Sequence, residues 1–129
     1  MRVLTYPYSD AYTPSMPVVD LGVSRPGARQ PAQVVTAVVD SGADGTLVPI
    51  DVLEAVSAGY VGEAFIRGIS GKRQGVSMYL ATLHIGSHVL NAVRVVAVHE
   101  GSEAILGRNV LQFLVVTLNG PAAATEVVV

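Results

Sequence analysis

The amino-acid sequence predicts a mainly β domain with two short helices, closed into a barrel or a sandwich, and three observations carry that expectation. Apolar residues recur at a strand-like period or in short β-branched runs. Turn formers separate those runs, with 13 Gly and 7 Pro among 129 residues. Half of the residues are apolar and only 14% are charged, which is enough apolar surface for one core and too short a chain for two. No repeat, low-complexity tract or linker divides residues 1–129, so a single domain is expected.

The elements follow in chain order. VLTY (3–6) is a strand stopped by Pro7, and PVVDLGV (17–23) and QVVTAVV (33–39) are β-branched runs of strand length. TLV (46–48) is a short strand that ends at a helix start: Pro49 and Asp51 suit the first turn, Val52, Leu53 and Val56 form an apolar face, and Gly59 is placed as the stop. Strands are expected at 63–69, 76–85 and 89–98. A second helix is expected over 108–114, because Val110, Leu111 and Leu114 recur at helical spacing after Gly107, before the β-branched Val115, Val116 and Thr117. Asn119, Gly120 and Pro121 read as a turn, so that 126–129 folds back on 115–118 as a C-terminal hairpin.

Charge and composition exclude several functions. The formal charge is -2, and only Lys72 and Arg73 are adjacent cations, so no basic stripe invites nucleic acid. The absence of cysteine removes disulfides, thiolate nucleophiles and thiolate metal sites. His84, His88 and His99 lack the HExxH spacing, and neither a metal nor a cofactor is expected. The N-terminus MRVLTYPYSD is interrupted by Pro7, Tyr8 and Asp10 before a long apolar region forms, so no secretory leader is expected. No stretch of about 18 residues escapes polar or turn residues, which argues against a membrane span and for a cytoplasmic protein.

Chemistry concentrates in AVVDSGADGTLVP (37–49), where Asp40 and Asp44 bracket Ser41, Gly42 and Ala43 at the end of an apolar run. A calcium loop would accept Asp40, Asp44, Gly45 and Asp51 but not Gly42 at its third position, and a strand precedes it in place of a helix. The segment GISGKRQG fails the phosphate-loop pattern, with Ile66 at the first glycine position and Arg73 at the hydroxyl position. No GxSxG elbow is present. What remains is a carboxylate delivered by a buried strand and turned sharply at Gly42, where turn N–H groups can face it. Arg108 is the expected bidentate partner of Asp44. From spacing alone, a catalytic Asp40 and a plain strand end stand as equal readings.

A family resemblance shifts that balance. VVDSGADGTLVP resembles the DTGA or DSGA active-site segment of the retroviral-type aspartic proteases, the retropepsins. AILGRNVL (104–111) is similar to the family's IIGRNLL-like strand, turn and helix, FIRGISG (65–71) to its glycine-rich flap, and MPVVDLGV (16–23) to the strand that opens its barrel. Together they cover 17–118 in the family's order.

The resemblance implies a retropepsin-like closed β-barrel acting as a homodimer, with Asp40 of two chains forming the catalytic dyad. One carboxylate would act as base on a water and the other as acid toward the peptide carbonyl. Ser41 would bond across the dimer beneath the dyad, and Gly42 and Asp44 would meet substrate backbone. Ala43, a structural position, offers a methyl where pepsin-like relatives place a hydroxyl, so a pH optimum less acidic than pepsin's is expected. Gly68 and Gly71 would shape a flap tip with Ile69 and Ser70 over the peptide. Leu47, Ile69 and Ile105 would line apolar side-chain pockets, although ordinary core is an equal reading for Leu47 and Ile105. The expected substrate is a peptide or protein, and the expected partners exclude nucleic acid and membrane.

Departures are also visible. Met16 stands where viral members often carry a basic residue that pairs across the dimer. Residues 1–15 extend the N-terminus and 119–129 the C-terminus, so an interface different from interleaved viral termini is expected. Two other readings remain: a retropepsin-like module that dimerises or binds peptides with little or no proteolysis, and a strand-rich binding domain with a coincidental DSGA.

Overall fold

A computed structural model describes residues 1–68 and 70–129; the expected flap residue Ile69 lies outside the described residues. The strands are β1 (Val3–Pro7), β2 (Val18–Ser24), β3 (Gln33–Val39), β4 (Thr46–Pro49), β5 (Gly59–Arg67), β6 (Arg73–Ile85), β7 (His88–Val98), β8 (Ala104–Leu106), β9 (Val115–Asn119) and β10 (Ala124–Val128). Two helices, α1 (Ile50–Ala55) and α2 (Arg108–Leu111), interrupt them.

Six strands close a barrel in the order β2, β3, β8, β4, β7, β6, with β6 returning to β2 through Gly22↔His84, Val23↔Leu83 and Ser24↔Thr82. Closure pairs the outer side of β2 with β6 at residues 22–24, which leaves β5 as the sheet's edge strand. The interior is filled by β-branched and leucine side chains, including the fully buried Val19, Leu21, Val23, Val48, Leu83, Val95 and Leu106. α1 plugs one side with Val52 and Leu53, while Val110 of α2 adds to the same core. β5 continues beyond the ring as the outer arm of a long hairpin with β6. A separate antiparallel sheet, β1, β10, β9, joins the two ends of the chain.

The strand β8 positions the site. It is three residues long and lies between β3, to which it runs parallel, and β4, which it meets at Ile105↔Leu47. The chain therefore leaves β3, crosses over the end of β8 as the turn 40–45, and returns as β4 on the other side. A three-residue strand is too short to show periodicity, which is why 104–106 stood in the sequence only as part of a motif.

Several boundaries differ from expectation for local reasons. α1 ends at Ala55, and the chain turns out of it at Ser57, whose φ of 60° is left-handed, with the Ala58 N–H closing on the Leu53 carbonyl at 2.9 Å; Gly59 is freed to begin β5. α2 ends at Leu111, and residues 112–114 continue as a turn. β5 starts four residues earlier than expected, at Gly59, across an irregularity between Tyr60 and Gly62, and ends at Arg67, while β6 starts three residues earlier, at Arg73, because Arg73 to Gly75 pair with Arg67 to Phe65 near the tip. Among the described residues, no helix is long and apolar enough to cross a membrane.

Candidate active site

Asp40 is the first residue after β3, and its backbone is fixed before its side chain is considered. The Asp40 N–H donates to the Leu106 carbonyl at 3.1 Å, so the buried end of β8 sets its height above the core. Its own carbonyl accepts the Ala43 N–H at 3.2 Å, which closes the turn. The half-buried carboxylate receives the Gly42 N–H on Oδ1 at 2.9 Å. A β-carbon on Gly42 would stand 3.1 Å from that oxygen, so glycine gives the amide its close approach. An N–H aimed at one carboxylate oxygen fixes the orientation of the carboxylate.

The turn is held from below by the residues after β8. The Arg108 N–H donates to the Ala43 carbonyl at 2.8 Å and the Asn109 N–H to the Asp44 carbonyl at 3.3 Å. The Arg108 guanidinium donates through Nη1 to the Ser41 carbonyl at 2.8 Å. The expected pairing of Arg108 with the Asp44 carboxylate is thus corrected: the exposed carboxylate stays in water, where a surface ion pair gains little, and the fork satisfies a turn carbonyl instead. Ser41 and Gly42 are exposed beside Asp40, and Ala43 and Gly45 are half-buried beneath them.

Two supporting residues were not singled out in the sequence. Thr46, fully buried, donates from Oγ1 to Asn109 Oδ1 at 2.8 Å and accepts the Gly107 N–H at 3.1 Å. Asn109 Nδ2 then reaches the Arg94 carbonyl on β7 at 3.0 Å. One small polar cluster therefore ties β4, β7 and the β8–α2 turn together. The signal available was the polar Thr46 opening an otherwise apolar strand, opposite a GRN tripeptide.

Leu47 and Ile105, neighbours across β4 and β8, both line a groove of about 600 Å³. Its other walls are the outer half of the β5–β6 hairpin, through Ile66 and residues 74–77, and the segment 97–103. Gly68 and Ser70 sit exposed at the hairpin tip and do not line this groove; Gly71 takes a left-handed φ of 77°, whereas Gly68 does not. Arg73 stacks over Phe65 at 4.4 Å and stiffens the arm below the tip. Among the described residues, no group of three or more His, Asp or Glu side chains is gathered as a metal site.

The comparisons agree with this architecture. The family model described as "gag-polyprotein putative aspartyl protease" matches residues 31–113, which contain the Asp40 turn, the hairpin and β8 with α2. A retropepsin-like aspartic protease from Rickettsia conorii superposes with a TM-score of 0.66 at 9% identity, covering 98% of this chain and 89% of that one. The EIAV protease, solved with an inhibitor, gives 0.58 at 17% identity over 76% of this chain and 86% of its own. The simian foamy virus protease gives 0.53 at 20% identity, over 74% and 92%. At such identities the structures speak for the fold. No curated protein matches the sequence.

Proposed function

Because the chain belongs to the gag-polyprotein aspartyl protease family, we propose that it is an aspartic endopeptidase whose dyad is Asp40 of two identical subunits. The observation that carries the proposal is the Asp40 turn itself: a half-buried carboxylate, oriented by the Gly42 N–H, at an exposed crossing that ends β3. Among the described residues the Asp40 carboxylate is hydrogen-bonded to the Gly42 N–H and to no second carboxyl group, and a twofold axis beside the turn supplies one.

The chemistry follows from that pairing. Two carboxylates at close quarters share one proton, so one remains a base while the other is an acid. The base takes a proton from a water, whose oxygen attacks the peptide carbonyl carbon; the acid protonates the carbonyl oxygen. Collapse of the tetrahedral species breaks the C–N bond as a proton passes to the leaving amine. Ser41 and Gly42 flank the dyad, and Asp44 presents main-chain and carboxylate groups to an extended peptide. Gly68, Ile69 and Ser70 form the flap in this reading, and Leu47 and Ile105 contact alternate substrate side chains.

The test is cleavage of a peptide library by wild type and by Asp40→Asn, with and without a pepstatin-type transition-state mimic. Asp40→Asn is expected to lose at least about a thousandfold in kcat/KM while still folding, and the mimic to inhibit wild type. Cleavage that survives the substitution sinks the proposal. A dimer that binds peptides without cutting them is the outcome expected of a binding module.

A further inference from the structure

The groove lined by Leu47 and Ile105 reaches the chain two residues beyond the Asp40 turn, and its lining is mostly apolar with a single carboxylate among the described residues. Leu47, Ile66, Val76, Val98 and Ile105 supply its apolar lining. At the rim, the segment 99–103 contributes His99, Ser102 and Glu103, and Glu103 is the only carboxylate lining the groove among the described residues. That segment is ordered by its own turn: the Ser102 N–H donates to the His99 carbonyl at 3.0 Å, and Gly101 takes a left-handed φ of 82°.

A second observation concerns how Glu103 is held. The Tyr12 hydroxyl, from the N-terminal extension, donates to Glu103 Oε2 across 91 positions of sequence. Tyr12 is anchored in turn by paired backbone bonds between Ser9 and Met16, at 2.8 and 3.1 Å. The carboxylate is thus held through Oε2 by a phenol rather than by a cation, and among the described residues no hydrogen bond is made to its Oε1.

We propose that this groove is a subsite for a lysine or arginine side chain of the substrate, with the methylene stem along the apolar lining and the cationic head on Glu103. The inference rests on the peptidase reading of the same site and adds the substrate class to it. An apolar trough that holds one oriented carboxylate matches an amphipathic side chain, which buries its stem while its head keeps a polar partner. A charge-assisted bond to Oε1 completes the match. A purely aliphatic side chain of the same length fills the trough but withdraws water from Glu103 without replacing it, and an acidic one is repelled. The exposed Glu100 adds negative charge to the same loop. Tyr12 is a positioning residue in this scheme. Across a twofold dimer the groove occurs twice, so the preference applies on both sides of the scissile bond.

Non-cleavable reduced-amide peptides carrying lysine or norleucine at each position around the central bond distinguish the possibilities by calorimetry on the full chain. Wild type is expected to favour lysine over norleucine by about tenfold at one position on each side. Glu103→Gln should bring that ratio to about one. Tyr12→Phe, which keeps the ring, should reduce it by a smaller factor and make it more sensitive to salt. A ratio unchanged in Glu103→Gln, no lysine preference in wild type, or no binding of any peptide overturns the inference. Cleavable versions of the same peptides separate it from the catalytic reading: a lysine preference lost in Glu103→Gln, with no turnover by wild type, upholds the subsite and sinks the peptidase.

Discussion

Gly107 and Gly45 face each other where the β8–α2 turn passes under the Asp40 turn, and they are not equivalent. A β-carbon on Gly107 would run into the Gly45 carbonyl, 2.5 Å from its carbon and 3.1 Å from the Ala43 carbonyl oxygen. Both obstacles are backbone, so no side-chain rotation relieves them. The same atom added to Gly45 meets nothing within 4 Å. Gly107→Ala is therefore expected to push the two turns apart, costing about 1–3 kcal/mol and several degrees of Tm. It should also lower kcat/KM by weakening the Arg108 N–H to Ala43 and Asn109 N–H to Asp44 bonds that support Asp40. Gly45→Ala should leave Tm within about a degree or two, because no overpacking or lost bond is involved. Thermal melts of the two variants decide it, and equal losses would refute the close-approach argument. In the sequence Gly107 was legible as a helix boundary only; the contact that demands glycine is with a residue 62 positions earlier, and spacing carries no trace of it.

The barrel seam is the element-scale counterpart. β2 and β6 close the ring over three residue pairs, and within that seam Ser24 Oγ and His84 Nε2 are hydrogen-bonded at 2.7 Å, both buried. Burial holds the His84 imidazole below its ordinary value near 6.5, because a charged ring there would lose water without gaining an anion. The unfolded chain takes up this proton as pH falls through about 6.5, while the folded chain resists until lower pH, so the unfolded state binds more protons in between. Stability is then full above that range and declines as pH drops below it, levelling once the folded ring also protonates. Denaturant midpoints at pH 7.5 and 5.5 should show the decline in wild type and a smaller one in His84→Asn; equal slopes would refute the assignment. Much of this scale was readable from the sequence: the β-branched runs 17–23 and 33–39 became β2 and β3 almost residue for residue, and 89–98 became β7. The seam was not readable, since pairing between segments 60 positions apart depends on closure rather than on local pattern. For the same reason Thr46 and Asn109 looked like an ordinary strand residue and an ordinary helix residue, although they bridge the two halves of the site. The groove was half-legible: Leu47 and Ile105 came from the motifs, whereas Glu103 and Tyr12 came from the meeting of two loops.

At the scale of the whole molecule, the two chain ends are already paired with each other. Arg2 and Val129 exchange backbone bonds at 3.1 and 2.9 Å, and β1 pairs with β10 over Val3–Pro7. Swapping the ends with a second chain would have to break these bonds first, so a dimer that brings two Asp40 turns together must use other surface or pay for that exchange. Val3, Val115 and Leu118 remain exposed on the terminal sheet, but the argument for a dimer lies in the chemistry, since one Asp40 cannot be base and acid in the same step. That requirement has a stoichiometric signature independent of where the interface lies. If wild type and Asp40→Asn are mixed in equal parts at constant total concentration, exchanged, and assayed well above the dimer dissociation constant, random pairing leaves about one quarter of the sites with two aspartates. Activity is expected to fall to about one quarter of the all-wild-type value, whereas a monomer that worked alone would retain about one half. Dilution adds a second arm: the specific activity of wild type should fall with concentration, and the fall should be reversed on reconcentration. Retention of about one half, together with specific activity independent of dilution, would place the whole of the catalysis within one chain and require a second acid from that same chain to work with Asp40.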